Sequence, residues 1–506
     1  MVTRISGLAS GMDIDAMVKK LMTAQSAPLD KLNQQKQLME WKRENYRETS
    51  VKLVTFSQEL SKLNMSSAIS AQKANISGNT SAVSAKVSSS ASGVLDVKVT
   101  SLATASSTTS SAAIELNGSA PAPTDWGTVK LQDIKGSGIS GTTPITVKIG
   151  SGTSEASIEI DPVNETLDSF VKKINSNKQA GVSAIYDSAT GKVSLTSKTT
   201  GAKDIELSGD IFSALKLGST ITGGEDAKLT VNGLDMTRSS NTFTMNGVEL
   251  TLNSASGSTS TRIEVAKDTD KLVETVQKFV DAYNDVLSTL NNKVSEERYK
   301  KYAPLTTDQK KDMSDDEITL WTNKAKSGML KNDSILQSAA ADMRSAMVQE
   351  VKLDDGTTIS FAQLGITTGT YQTKGKLILD TDKLKAALDK DPDIVTNFFS
   401  KQDSATSQSN KYTEQDGIFA RMKKISNTAL QKLTDKAGTS KVSTDLSASF
   451  IISSTMGQEL TSIDRRITDM TARLNMIETN YYKKFTAMET AINKYNNTSS
   501  NLSSFR

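Results

Sequence analysis

Residues 456–496, MGQELTSIDRRITDMTARLNMIETNYYKKFTAMETAINKYN, decide the architecture of this chain. Apolar side chains in this stretch recur at intervals of three and four residues, which is the period of one face of an α-helix. The stripe consists of Leu460, Ile463, Ile467, Met470, Leu474, Ile477, Tyr481, Phe485, Met488, Ile492 and Tyr495. It runs for about 36 residues, or about 54 Å at 1.5 Å per residue, and therefore predicts one long helix.

The N-terminal part of the chain carries a similar pattern. Residues 13–63 are charged and favour helix, and one apolar position repeats every seven residues. The repeated residues are Leu32, Met39, Tyr46, Leu53 and Leu60. Pro28 cannot donate a helical hydrogen bond, so we expect a break near Ser26, with Pro28 in the first turn of a new helix. The stripe is narrow until Leu53, Phe56, Leu60 and Leu63 restore a spacing of three and four residues, and one partner helix could cover such a stripe.

Two terminal helices with matching narrow stripes most simply pack against each other in antiparallel fashion. We therefore assign helix pairing to the N-terminal stripe and to Leu474, Ile477 and Tyr481. The alternative is that both stripes are ordinary core faces of a compact helical domain, but the length of the C-terminal stripe favours paired helices. Leu474 and Ile477 suit contacts with another chain equally well.

The middle of the chain, residues 64–257, has a different character. It is rich in Ser, Thr, Gly, Ala and Val, and short alternating runs in it predict strands. These runs are residues 94–100, 145–149 and 228–233. Residues 183–197 predict a hairpin with its turn at 187–191, and Thr166 is the expected cap of a short helix. We expect an α+β segment in which strands dominate.

Helical signals return near residue 268. The apolar spacing predicts a helix that begins at Asp268 or Thr269. Ser314 opens a capping-box sequence, and Asp333 is the expected N-cap of a further helix. The fold class expected from the whole sequence is a multidomain α+β protein, with long antiparallel coiled-coil-like helices from both chain ends and β-rich head domains inserted between them.

The composition limits the chemistry that this chain can perform. Its 506 residues include no Cys and no His, which excludes disulfides, thiolate or imidazole metal sites, Cys nucleophiles and Ser-His-Asp triads. Carboxylate, Lys or Tyr chemistry remains possible, but no local motif supports it. The 60 basic and 57 acidic residues leave a net charge of +3, too small a field to indicate nucleic-acid binding. We expect no enzyme activity, no cofactor and no metal ion.

Several motifs have ordinary explanations. Residues 136–141, GSGISG, match G-x-G-x-x-G, but a strand is expected after them where a dinucleotide site needs a helix, so we interpret them as a loop. The acidic groups at 312–317 and 389–393 are interpreted as a helix start and a turn, in preference to cation sites. Aromatic residues at 481–495 could stack on nucleic acid or sugar, but their helical spacing favours helix packing.

The N-terminal sequence MVTRISGLASGMDIDAMVKKLM lacks the apolar run and the cleavage site of a Sec-type signal peptide. No stretch approaches about 18 consecutive apolar residues, so no membrane span is expected. The chain is therefore expected to be cytoplasmic, or exported by a route that leaves no cleaved signal.

The N-terminal run ISGLASGMDIDAMVKKLM, followed by APLDKL, resembles the start of the flagellar filament cap proteins, also called the hook-associated protein 2 family. Further segments resemble this family in the same order. They are GEDAKLTVNGLDMTRSSNTFTMNGVELTL (224–252), KFVDAYNDVL (278–287), KSGMLKNDSIL (326–336), GKLILDTDKLKAAL (375–388) and YYKKFTAMETAINKYN (481–496). Residues 166–187 resemble a small module of flagellins and hook-associated proteins, whereas residues 101–157 are covered weakly or not at all.

This resemblance implies a secreted protein of the bacterial flagellum, exported by the flagellar type III apparatus and located at the distal filament tip. It implies a homo-oligomer, usually a pentamer, that retains exported flagellin and promotes its folding and insertion as the filament elongates. The implied partners are flagellin, the hook-filament junction protein and a flagellar export chaperone, for which the C-terminal stripe is a candidate site. Host glycans are a further possible partner.

The resemblance and the changes in composition together divide the chain into segments. They are an N-terminal leg segment (1–40), the N-terminal coiled-coil helix of a helical leg domain (41–74), the two parts of a proximal β-rich head domain (75–106 and 224–270), a distal β-rich or α+β head domain (107–223), the helical leg domain (271–455) and a C-terminal helical leg segment (456–506).

Flagellin contacts are expected on adaptable apolar side chains at both ends of the chain. A symmetric ring on a helical filament with a different number of protofilaments cannot satisfy every contact, and flexible side chains such as Met suit that mismatch. The residues assigned to flagellin and filament contact are Ile5, Leu8, Met12, Ile14, Phe485, Met488, Ile492, Tyr495 and Leu502.

Two other functions are considered. Another flagellar axial or junction protein would also have helical ends, but its terminal motifs differ from the GLASGMD run. A surface adhesin would use the Ser/Thr-rich head, residues 107–222, to bind host glycan. An enzyme is a third class, against which the absence of His and Cys argues.

Overall fold

The structure is a computed structural model that describes residues 11–118, 122–406 and 409–503. The chain divides into two compact units, one formed by Met1–Ser70 with Thr269–Arg506 and the other by Ala71–Asp268. In the described residues the first unit is mainly helical and the second is mainly β-sheet. The expected fold class, a multidomain α+β protein with long terminal helices and β-rich inserted domains, is confirmed.

The first and last helices are much longer than the others, as the two apolar stripes predict. Two short helices, α3 and α4, lie in the β-rich unit, and the remaining helices lie in the helical unit. The helices are α1 (Ile14–Leu63), α2 (Ser66–Ile69), α3 (Leu167–Ser176), α4 (Asp210–Ala214), α5 (Thr269–Ser295), α6 (Thr307–Lys311), α7 (Asp315–Lys326), α8 (Ser334–Val348), α9 (Thr381–Lys390), α10 (Ile394–Phe399), α11 (Ile418–Ala437) and α12 (Thr455–Ser503).

The strands are short and fall mostly in the β-rich unit. Only β16–β17 and β18–β19, two small antiparallel pairs, belong to the described part of the helical unit. The strands are β1 (Gln72–Gly78), β2 (Val83–Val87), β3 (Val94–Ser101), β4 (Ser107–Thr109), β5 (Ile145–Ser151), β6 (Ser154–Ile160), β7 (Val182–Tyr186), β8 (Val193–Ser197), β9 (Ile205–Ser208), β10 (Ile221–Thr222), β11 (Ala227–Val231), β12 (Leu234–Arg238), β13 (Thr242–Met245), β14 (Val248–Leu252), β15 (Thr261–Lys267), β16 (Val351–Lys352), β17 (Thr358–Ile359), β18 (Ile366–Thr368) and β19 (Leu377–Leu379).

The core of the helical unit forms where α5, α8 and α11 pack against one another and against α1. Apolar residues of α5 recur every three or four positions, and that face is buried. Its buried residues include Leu272, Val276, Val280, Tyr283, Leu287 and Leu290. The ring of Phe279 meets Phe399 and Phe419 edge-on, with centroids 5.2 and 5.7 Å apart. Aromatic packing therefore joins α5, α10 and α11.

The predicted helix starts are confirmed. The Ser314 hydroxyl accepts a hydrogen bond from the Glu317 amide, and the Glu317 carboxylate accepts one from the Ser314 amide at 2.9 Å. Asp333 accepts hydrogen bonds from the first amides of α8. Helix α5 begins at Thr269. These side chains occupy amides that the helices themselves leave without acceptors.

The expected break at Pro28 is wrong. Helix α1 runs from Ile14 to Leu63 with Pro28 inside it. Pro28 removes one helical donor, but the flanking turns and the packing of α1 against α12 keep the helix continuous.

One buried cation, Arg421 on α11, was not anticipated from the sequence. Its side chain is fully buried and donates hydrogen bonds to five backbone carbonyls. These belong to Ala346, Gln349, Glu350, Glu414 and Asp416. The guanidinium therefore ties α11 to the end of α8 and to the segment that precedes α11.

The β-rich unit contains two separate hydrophobic cores. In the first, a five-stranded sheet of order β1-β15-β3-β11-β12 and a three-stranded sheet of order β13-β14-β2 share one core. The first and last strands of the unit are neighbours, because Gln72 of β1 lies opposite Lys267 of β15. The Asp268 amide donates to the Ala71 carbonyl at 2.9 Å, which extends this pairing to the ends of the unit.

The second core joins a four-stranded sheet, β10-β4-β8-β7, a three-stranded sheet, β6-β5-β9, and the helices α3 and α4. The predicted hairpin is confirmed, since β7 pairs with β8 in antiparallel register and Tyr186 lies opposite Val193. Thr166 caps α3, as expected, by accepting a hydrogen bond from the Ser169 amide. Residues 136–141 form a loop before β5, so the helix that a dinucleotide site needs does not follow them.

Candidate contact surface

The terminal helices α1 and α12 pack against each other in antiparallel fashion, as predicted. Lys36 Nζ lies 2.7 Å from Asp464 Oδ1, and the Tyr482 hydroxyl donates to Asp15 Oδ1 at 2.9 Å. Residue numbers rise along α1 as they fall along α12, which defines the antiparallel direction. The hydrogen bond to Asp464 raises the pKa of Lys36 and keeps its ammonium charged.

The residues assigned to helix pairing occupy two environments. In the first, Leu32 is buried and Met39 is half-buried on α1, while on α12 Leu474 is 7% exposed and Ile477 and Tyr481 are half-buried. These residues lie on helices that pack against each other.

The second environment is the core of the helical unit. Tyr46, Leu53 and Leu60 are fully buried there, in one cluster with residues of α5, α8 and α11. The one partner helix that could cover such a stripe does not cover the C-terminal half of the α1 stripe. That half has several partners because α12 begins only at Thr455.

The start of α12 is fixed to α1 by a contact that the sequence did not reveal. Arg43 donates to the carbonyls of Ala437 and Ile451, at 2.7 and 3.1 Å. The guanidinium groups of Arg43 and Arg47 lie 4.2 and 4.3 Å from the centre of the Phe450 ring. Burial lowers the pKa of Arg43, and the charge of Arg47 lowers it further. The only available signal was a Phe among small polar residues.

The residues assigned to filament contact become more exposed along α12. Phe485, Met488 and Ile492 are half-buried, and Tyr495 is 76% exposed. On the N-terminal side, Met12 is half-buried and Ile14 is buried. Ile5 and Leu8 lie outside the described residues, as does the side chain of Leu502.

The C-terminal half of α12 therefore presents apolar side chains that are incompletely covered. Half-buried Phe, Met and Ile residues at helical spacing leave apolar surface in contact with water, which favours packing against another surface. Because Met residues adapt to differently shaped partners, this face suits contacts that vary from one position to the next. We call Phe485, Met488, Ile492 and Tyr495 the α12 face.

The two acidic groups at 312–317 and 389–393 lie at a helix start and at a turn. Hydrogen bonds from the Ser314 amide and hydroxyl lower the pKa of Glu317, so the acidic group at 312–317 serves a helix start. The group at 389–393 spans the turn between α9 and α10. In the ranges that the structure describes, no three Asp or Glu side chains are grouped closely enough to hold a metal ion.

Membrane insertion by a helix finds no support in these ranges. None of the described helices combines the length and the apolar character needed to cross a bilayer.

The distal part of the β-rich unit shows no aromatic platform for sugars. Trp126, Phe170 and Phe212 are buried, and Tyr186 is half-buried with its hydroxyl donating to Asp168 at 3.2 Å. These are all the aromatic residues between 107 and 222. The rings are occupied by the second core, so the adhesin alternative gains no support from them.

Comparison with known proteins agrees with this architecture. The family profile described as "Flagellar hook-associated protein 2 N-terminus" matches residues 10–106, and the one described as "Flagellar hook-associated protein 2 C-terminus" matches residues 224–497. The flagellar hook-associated protein 2 of Halalkalibacterium halodurans is 31% identical over 97% of this chain and 98% of its own length. That of Escherichia coli K12 is 26% identical over 76% of this chain and 77% of its own length.

A solved structure shares the fold. The D1-D2-D3 domains of the flagellar cap protein FliD from Escherichia coli superpose with a TM-score of 0.52 at 24% identity, covering 78% of this chain and 96% of that one. The matched profiles and the relatives place the chain among the hook-associated proteins of the bacterial flagellum. The chain belongs to the flagellar hook-associated protein 2 family.

Proposed function

We propose that this chain is the flagellar filament cap, an oligomer at the distal filament tip that retains exported flagellin and promotes its folding and insertion during elongation. The observation that carries this proposal, beside family membership, is the incompletely covered α12 face on a helix pair. The work of such a cap consists of non-covalent contacts between chains. The proposal includes secretion by the flagellar type III route, with an export chaperone covering the apolar C-terminal stripe before assembly.

A pentameric ring is the proposed oligomer. A closed ring on a helical filament repeats one surface against positions that are not equivalent, so its contacts must tolerate several geometries. Long helices with half-exposed Met, Ile and aromatic residues meet that need better than a rigid, fully complementary surface. We propose that the cap binds the hook-filament junction protein before any flagellin has been added.

The two hydrophobic cores of the β-rich unit support the proposed division of the head. One core contains residues from within 75–106 and 224–270, and the other contains residues from within 107–223. We propose that the former is the proximal head domain, that the latter is the distal one and that the helical unit supplies the legs.

A deletion of the gene tests the proposed function. A strain without the gene should carry bare hooks and release unpolymerised flagellin into the medium, and addition of the purified protein should restore filaments. Normal filaments in the deletion strain would contradict the proposal.

Substitutions in the α12 face test the proposed contact residues. Met488→Asp with Ile492→Asp should shorten the filaments and release flagellin, because two charges would have to be desolvated in the contact. Met476→Asp is the matched control, since Met476 lies on the same helix and is 64% exposed. If the double variant supports filament growth as well as Met476→Asp does, flagellin contact lies elsewhere.

A further inference from the structure

An open cavity of about 670 Å³ lies in the helical unit, away from the α12 face. It is bounded by the middle of α5, the last turn of α8 and the turn that precedes β19. Its lining includes Tyr283, Arg344, Met347, Val348, Lys374 and Gly375. None of these residues has a part in the proposed filament contacts.

Tyr283 contributes a polar group without a partner. Its side chain is 0% exposed, and its hydroxyl makes no hydrogen bond with any described residue. The next residue, Asn284, joins α5 to β19, because its side-chain nitrogen donates to the Leu377 carbonyl at 2.9 Å and its side-chain oxygen accepts from the Leu377 amide at 2.8 Å. A buried hydroxyl that lacks a partner is uncommon; this one has no surface accessible from the cavity, so it makes the wall polar without contacting a ligand.

Arg344 contributes an unpaired cation to the same cavity. It is half-buried, and in the described ranges its guanidinium has neither an ion pair nor a hydrogen bond. Its stem packs on Gly375, where an added Cβ would lie 2.6 Å from Arg344 Cδ. Gly375 has a φ of +88°, so the turn before β19 and the path of Arg344 both depend on a residue without a side chain.

The two polar groups are close enough to interact electrostatically. Burial raises the pKa of Tyr283, and the positive charge of Arg344 acts in the opposite direction. Lys374, at the exposed rim, adds a second positive charge to the cavity. The cavity thus offers hydrogen-bond donors and positive charge.

The other walls of the cavity are apolar, which limits the kinds of ligand that the cavity can bind. Met347 is buried in the wall, and Val348 is 77% exposed at the rim. A strongly hydrated dianion such as phosphate would lose its water against these side chains without enough donors to replace it. A carboxylate needs fewer donors, and an attached apolar group would cover Met347 and Val348.

We propose that this cavity binds a carboxylate carried on an apolar body, with the guanidinium of Arg344 pairing with the carboxylate. The carboxylate has two chemical sources, an acidic residue beside apolar residues in a peptide segment, or a free aliphatic acid. This inference does not rest on the proposed cap function.

Ligand-detected NMR on the full chain tests the proposal with two matched pairs of probes. The peptide arm compares acetyl-Leu-Asp-Leu-amide with acetyl-Leu-Asn-Leu-amide, and the free-acid arm compares hexanoate with hexanamide. At least one acid should bind about tenfold more tightly than its neutral analogue, because the charged form gains the bond to Arg344. The acid that binds more tightly identifies the source.

Variants locate the binding. Arg344→Met should weaken binding of the acid about fivefold or more, while Lys376→Met, an exposed change outside the cavity lining, should not. Tyr283→Phe should leave the melting temperature of the free protein unchanged or higher, because it removes an unpaired buried hydroxyl. The proposal is overturned if neither acid binds at millimolar concentration, if the neutral probes bind as well as the acids, or if Arg344→Met binds the acid as tightly as Lys376→Met does.

Discussion

The hydroxyl of Tyr46 donates a hydrogen bond to Oδ2 of Asp333 at 2.5 Å and so joins α1 to the first turn of α8. The same carboxylate oxygen lies 3.0 Å from Lys436 Nζ on α11. Its other oxygen accepts hydrogen bonds from the amides of Ile335 and Leu336. One N-cap residue therefore connects three helices of the helical unit and binds a stripe residue of α1.

Replacement of Tyr46 by Phe should destabilise the helical unit. The change keeps the ring but removes a hydrogen bond to a charged group, so the free energy of unfolding should fall by about 2 kcal/mol. Urea unfolding followed by circular dichroism at 222 nm measures this. The control is Tyr299→Phe, because Tyr299 donates to the Glu297 carboxylate at an exposed position. Equal losses of unfolding free energy in the two variants would show that the buried hydrogen bond contributes no more to stability than the exposed one.

Stability should fall in acid through Asp333. Burial disfavours its charged form, but the hydrogen bonds from Tyr46 and Lys436 outweigh burial, so the pKa of Asp333 is lowered. A lowered folded pKa means that the contribution is fully present above the unfolded pKa, about 4, and is lost as the pH falls through the folded value. The stability difference between the native chain and Asp333→Asn should therefore be largest near neutral pH and shrink below about pH 4. A difference that stays constant with pH would contradict this assignment.

Arg421→Met should destabilise the helical unit more than any exposed Arg substitution. The change removes a fully buried cation that five backbone carbonyls now share as a donor, and the expected loss is about 3 kcal/mol or more. Arg465→Met on the exposed side of α12 is the control and should shift the unfolding free energy by less than about 0.5 kcal/mol. Urea midpoints for the two proteins make the comparison, and similar midpoints would refute a structural role for Arg421.

Pro28→Ala should strengthen the N-terminal half of α1. Alanine restores the missing helical donor without disturbing a buried contact, since Pro28 is exposed. Hydrogen exchange of amides 24–32 should slow, while exchange in the C-terminal half of α1 should not change. Unchanged exchange at 24–32 would contradict the expectation that Pro28 destabilises this part of α1.

The pairing of α1 with α12 should depend on apolar contacts more than on its ion pairs. Lys36→Gln removes a solvent-exposed pair and should cost less than about 1 kcal/mol. Leu32→Asp places a charge at a buried position and should separate the helices locally, raising hydrogen exchange along residues 464–482. Equal exchange in the two variants would contradict this ranking.

The terminal helices could be predicted because the sequence signals for them lie within the helical segments themselves. A stripe such as Leu474, Ile477 and Tyr481 indicates that the segment is helical and also which of its faces is covered. Capping residues such as Thr166 and Ser314 indicate where helices begin. The fate of Pro28 could not be predicted in this way. Its local cost favours a break, and only packing against a distant helix outweighs that cost.

The candidate contact surface was only partly visible in the sequence. The spacing of three and four residues located the α12 stripe. It could not show that Leu53 and Leu60 pack on α5, α8 and α11, or that Leu32 lies on the half of α1 that meets α12. Arg421 was missed because a charged residue suggests a solvated position, and its acceptors lie on two segments that are distant in sequence. The cavity at Tyr283 was missed for the same reason, since its walls come from α5, α8 and the turn before β19.

The pairing of β1 with β15 has a consequence for how this family varies. Because Gln72 lies opposite Lys267, the chain enters and leaves the β-rich unit through adjacent strands. The distance between the two attachment points is set by one strand pair and does not depend on what lies between residues 78 and 261. Strands, loops or a whole additional domain can be gained or lost there while Ser70 and Thr269 keep their spacing. The β-rich unit is thus free to diverge in length and sequence, and the helices on either side of it in the sequence need not change in response.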